Sequence, residues 1–138
     1  MTQIESKIGT INNSAEKIYS FLSDFNNFKN FVPPDKVKNW QSTQDTCQFE
    51  IEGIGIVGLK IIEREPFTTI KLTGEGKTPF DFFFWAQLKE TNSSDTKIKL
   101  TVKADLNPMF KMIVEKPLTN ALNTLIDQLC KLDFNSLV

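Results

Sequence analysis

The stretch from Thr96 to Leu132 constrains this chain more than any other. Ile98, Leu100, Val102, Ala104 and Leu106 share one parity, and Lys97, Lys99, Thr101, Lys103 and Asp105 share the other. Such alternation belongs to a strand with one dry face and one wet face, as in an antiparallel sheet covered on one side. From Met109 the period changes to threes and fours through Met112, Ile113, Leu118, Leu122, Leu125, Ile126, Leu129 and Leu132, the pattern of a long amphipathic helix. A curved sheet that closes over one long helix leaves a space between them, and function is expected there.

The bulk composition removes many alternatives. A length of 138 residues with 40% hydrophobic and 24% charged side chains predicts one globular domain spanning residues 1–138. Sixteen basic residues against 17 acidic ones give a net charge of −1, which argues against a nucleic-acid groove or an anionic-membrane patch. Arg64 is the sole arginine, so paired guanidinium clamps are excluded. With no histidine, His-based acid–base, triad and metal chemistry is absent from the chain. Cys47 and Cys130 lie far apart and are expected as free, mostly buried thiols in a reducing cytoplasm. The opening MTQIESKIGTI lacks the pattern of a signal peptide, and no run approaches the ~18 apolar residues of a membrane span. The expectation is a cytoplasmic protein without cofactor, metal, nucleic-acid partner or stable membrane insertion.

Upstream of the last strand, residues 3–11 read as a strand with Ile4 and Ile8 inward. Asn13 and Glu16 then form a capping-box-like start to a helix whose apolar face is Ile18, Leu22 and Phe25. A second short helix or turn, FNNFKNFV, is stopped by Pro33 and Pro34. Strands follow at 37–43, 46–52, 56–65, 68–75 and 80–90, with Gly53 and Gly55 in a turn or bulge and Pro66 ending the fourth. Gly74 and Gly76 end a strand with no helix close behind, so they are not a phosphate loop. Pro108 suits a first helical turn, whereas Pro117 is expected to kink or divide the last helix. Short connections make successive strands antiparallel neighbours, and the first strand must pair with the last. The fold class is α+β: a seven-stranded antiparallel sheet wrapped around a long C-terminal helix, with two short helices after strand 1.

This layout, the capped segment INNSAEKIYSFLSDFNNFKNFVP and the exit LNPMFKMIVEKPL together resemble the START-like, helix-grip (SRPBCC, polyketide cyclase-like) superfamily. The resemblance spans almost the whole chain and points to a small bacterial member. It implies an apolar ligand held between sheet and helix, although enzymes and partner-protein binders share the architecture.

Parity and helix face nominate the lining of that space. Phe28, Phe31, Trp40, Phe49, Leu59, Ile61, Leu72, Phe82, Phe84, Leu100, Met109, Met112 and Ile113 are the expected ligand-binding residues. Twelve Phe against two Trp and one Tyr suit an apolar interior, either as the wall of a cavity or as a filled core. Met109 and Met112 would gate the mouth or simply fill core gaps. Tyr19, Glu63 and Asp81 are the polar groups that an enzymatic cyclase or dehydratase reading requires inside the space. Phe83 and Trp85 share the opposite parity from Phe82 and Phe84. On the outer face, with Lys71 and Lys99 as expected neighbours, they would form a homodimer or partner patch, or lie covered by the lysines.

Overall fold

The computed structural model describes residues 2–29, 31, 35, 37–53, 55–76, 78, 80–132 and 134. In chain order the elements are β1 (Thr2–Glu5), β2 (Gly9–Ile11), α1 (Ala15–Leu22), a 3-10 helix (Phe25–Phe28), β3 (Val37–Ser42), β4 (Thr46–Ile51), β5 (Gly55–Glu65), β6 (Thr69–Gly74), β7 (Phe82–Asn92), β8 (Asp95–Ala104) and α2 (Pro108–Lys131). The sheet is antiparallel, in the order β1-β8-β7-β6-β5-β4-β3, and β2 also pairs with β8. β1 and β2 are one strand interrupted, so the expected closure of first strand on last is present.

The interruption is chemical. Ser6 donates its backbone N–H to the Leu100 carbonyl at 2.8 Å, and its hydroxyl accepts from the Leu100 N–H at 2.9 Å. A side-chain oxygen thus replaces a ladder carbonyl, and the chain passes β8 out of regular step. Inward parity changes across the break: Ile4 and Ile11 are buried, but Ile8, expected inward, is 66% exposed.

The first helix starts one residue later than its sequence signal. Ser14 is the N-cap, its hydroxyl accepting from Lys17 N–H, while Asn13 uses Oδ1 to accept from Ser14 N–H. The Glu90 carboxylate, brought alongside by β7, accepts from Ala15 N–H at 3.0 Å and satisfies another orphan donor of the first turn. The Asn13–Glu16 capping box therefore does not form. The second short helix is a single 3-10 turn capped by Asp24, and Pro33 and Pro34 lie outside the described residues.

In β5 the register shifts between Ile61 and Glu63, so one extra residue bulges and the faces exchange. Glu63 therefore pairs with Lys71 and is exposed, rather than facing inward. Arg64 swings to the other side, where its guanidinium donates to the Ser23 carbonyl at the end of α1 and to the Asp45 carboxylate.

α2 starts on an Asn107 cap, whose Oδ1 accepts from Phe110 N–H at 2.8 Å, followed by Pro108 in the first turn. Pro117 does not divide it; the helix is continuous to Lys131. α2 packs on β1, β2 and β8, whereas α1 packs on β6 and β7. Gly9 permits this approach: a Cβ there would lie 2.6 Å from Ile126 Cγ2 and 2.9 Å from Cys130 Sγ. Gly9→Ala should therefore cost about 1–3 kcal/mol by overpacking the helix–strand contact. Urea denaturation should show a lower midpoint with an unchanged m-value.

Candidate functional site: an aromatic-lined cavity

Because α2 packs on the β1–β2–β8 side, the other half of the sheet faces an unfilled space. A cavity of about 500 Å³ lies between the inner faces of β3–β8, the 3-10 segment and α2. Eight aromatic rings line it: Phe25, Phe28 and Phe31 from the segment after α1, Trp40 on β3, Phe49 on β4, and Phe80, Phe82 and Phe84 on and just before β7. Aliphatic side chains complete the wall, including Val57 and Leu59 on β5, Ile70 and Leu72 on β6, and Leu118, Leu122, Leu125 and Leu129 on α2.

The rings hold one another. Trp40 stacks on Phe49 at 5.2 Å between centroids and 17° between planes, while Phe28 meets Phe21 edge-on at 5.1 Å. Phe134, buried beyond the end of α2, closes the back of this cluster against Phe21 at 5.5 Å. Phe80 leans edge-on against both Phe82 and Phe110. Edge-to-face and stacked pairs of this kind contribute roughly 0.5–1.5 kcal/mol each beyond area burial, so the wall is stiff.

Nine expected lining residues do face the cavity: Phe28, Phe31, Trp40, Phe49, Leu59, Leu72, Phe82, Phe84 and Leu100. Ile61 is buried in the core without lining it. Met109, Met112 and Ile113 are on the outside, at 75%, 85% and 57% exposure. Helical geometry gives the reason. Ile113 precedes Leu122 by nine residues, about two and a half turns, and so points to the opposite side. Val114 takes the buried position instead.

Neither Tyr19, Glu63 nor Asp81 lines the cavity. Tyr19 is half-buried with its ring edge-on to Phe67 at 5.6 Å, and the other two are exposed. The polar side chains on the wall are ones that parity did not nominate: Glu52 in the β4–β5 turn, and Asn120 and Thr124 on α2. Glu52, Pro117 and Asn120 are the exposed members of the lining, which places the mouth between the β4–β5 turn and the middle of α2. A further polar atom, Trp40 Nε1, is buried without a hydrogen-bond partner among the described residues.

On the outer face, Phe83 and Trp85 are half-buried. Lys71 Nζ sits 4.8 Å from the Phe83 ring centre and 5.4 Å from that of Trp85. Lys103 reaches Trp85 at 5.8 Å, taking the place expected of Lys99, which pairs instead with Glu5. These rings are covered within the chain. Among the described residues, no cluster of acidic or cysteine side chains could hold a metal ion, and no helix is long and apolar enough to cross a membrane.

Neither thiol is disposed to act as a nucleophile. Burial pushes the Cys47 thiol up to about 12, and partial burial with the nearby Asp127 carboxylate raises Cys130 as well. Ellman's reagent at pH 8 should leave Cys47 unmodified in the folded protein and titrate Cys130 slowly. Both thiols should react promptly in denaturant.

No family model matches the chain, and no curated protein matches it in sequence. Solved structures do match in shape. Norcoclaurine synthase from Thalictrum flavum, in complex with dopamine and hydroxybenzaldehyde, superposes with a TM-score of 0.72 at 17% identity, covering 94% of this chain and 84% of that one. The protein XoxI from Bacillus cereus gives 0.69 at 13% identity, covering 95% and 94%. A START superfamily protein from Mycobacterium smegmatis gives 0.64 at 16% identity, covering 92% and 98%. With a sheet that wraps one long C-terminal helix, and with these neighbours over nearly its whole length, the chain has the START-like helix-grip fold.

Proposed function

We propose that this protein holds an apolar or amphipathic small molecule, non-covalently, in the cavity between sheet and α2. The cavity itself carries the reading. Leaving even one Leu- or Phe-sized hole empty in a protein core costs about 2–5 kcal/mol, and this space, at about 500 Å³, is several times larger. Against the whole stability of a typical domain, about 5–15 kcal/mol, such a space belongs to a fold that opens it to solvent or fills it with ligand. Rings and leucines offer a guest burial at about 25 cal/mol per Å² of apolar surface, and the few polar groups at the mouth orient it.

The fold is shared with norcoclaurine synthase, whose structure carries two small aromatic molecules, and this supports a small-molecule seat rather than any one chemistry. An enzymatic reading finds no support in Tyr19, Glu63 or Asp81, because none reaches the wall. A docking reading through Phe83 and Trp85 meets the lysines that already cover them.

Paired native and denaturing mass spectrometry of gently purified protein tests the proposal, as does titration with Nile red, a neutral apolar dye. A non-covalent adduct or saturable dye binding is expected. Ala121→Trp, which places a ring into the cavity from α2, should weaken dye binding at least tenfold while leaving the unfolding temperature level or higher. Unchanged dye binding in that variant would remove the cavity as the seat.

A further inference from the structure

The charge at the mouth goes further than the cavity's shape. The wall holds one ionisable group, Glu52, and among the described residues no Lys or Arg lines it. In the sheet, Lys71 and Lys103 lie over the outer rings, Lys99 pairs with Glu5, and Lys38 and Lys60 are exposed. On α2, Lys111 and Lys116 lie outside the cavity wall, lining a separate surface groove with Glu115 and Asn120, and Lys111 pairs with Glu115. Asn120 and Thr124 share one face of α2 across from the turn and supply neutral donors and acceptors. A guest with its apolar body among the rings therefore presents its head to a carboxylate.

We infer that the cavity selects amphiphiles with a cationic amine head and disfavours those with a carboxylate head. An ammonium at the mouth is attracted by Glu52, whereas a fatty-acid carboxylate meets a like charge there and, among the described lining residues, no lysine or arginine. Glu52 is exposed, so each effect is screened, but the two act in opposite directions on the two heads and their ratio adds them. About a tenfold preference for amine over acid follows from a solvent-screened charge pair at contact distance.

This inference rests on the proposed cavity function, and a matched series separates the two. Dodecylamine, dodecanol and dodecanoate, kept below their micelle concentrations at pH 7 and about 0.1 M salt, are each titrated against the Nile red complex. The expected order is amine over alcohol over acid, with amine displacing the dye at about tenfold lower concentration than acid. Glu52→Gln should bring amine and acid within about threefold, and Glu52→Lys should reverse their order. Because Glu52 sits in an exposed turn, both variants should keep the native circular dichroism spectrum. Equal displacement by all three ligands, indifferent to Glu52→Gln, would overturn the head-group selection and leave the cavity reading intact. Failure of the dye and of all three ligands to bind would overturn both.

Discussion

The contact of Gly9 with Ile126 governs the architecture. Only a residue without a side chain lets α2 settle so close to β2, with Ile126 Cγ2 inside the space of a missing Cβ. That approach draws the helix to the β1–β2–β8 side of the sheet, where Lys7 N–H donates to Asn123 Oδ1 and Lys7 pairs with Asp127. A sheet that curls away from a helix anchored along one margin must gape along the other. The cavity is the geometric remainder of that anchoring.

A gap of this kind persists only if its walls resist collapse. Small aliphatic side chains would let the backbone drift inward, but rings locked edge-on and face-on to one another leave few alternative rotamers. The Trp40–Phe49 stack and the Phe21–Phe28–Phe31 cluster fix the β3–β4 end of the wall, and Phe134 closes behind them. Trp40 Nε1–H, buried in this wall, has no acceptor among the described residues. Gly58 adds a second fixed point in the sheet, since its carbonyl accepts from Glu75 N–H and a Cβ there would run into the Glu75 carbonyl oxygen.

Much of this was legible in the residues. Long alternation located β7 and β8, and period-2 parity sent Phe49, Leu72, Phe82 and Phe84 to the cavity because the extra residues at the register shifts lie on β3, on β5 and at the far end of β7, not within the runs that carry those four residues. Parity failed wherever one extra residue or one polar atom interrupted the ladder. The Ser6 hydroxyl replaced a backbone carbonyl and turned Ile8 outward, and the bulge at Ile61–Glu63 sent Glu63 out and Arg64 to α1. A helical stripe likewise carries no absolute phase. Met109, Met112 and Ile113 have the correct spacing, but tertiary packing chose Val114 as the buried residue. Glu52 was missed because it lies just past the end of β4, where a turn and not the strand pleat decides direction.

β7 shows how neighbours, rather than residue type, decide what an aromatic does. Phe82 and Phe84 face the cavity; Phe83 and Trp85, one residue out of phase, face the outside. On the outer face the register sets Lys71 beside Trp85 and Lys103 beside Phe83, and their ammonium groups lie over the rings with their stems across them. The same strand therefore presents rings to the cavity on one side and a cationic cover on the other. These lysines lie outside, and among the described residues that line the cavity Glu52 is the one that carries a charge.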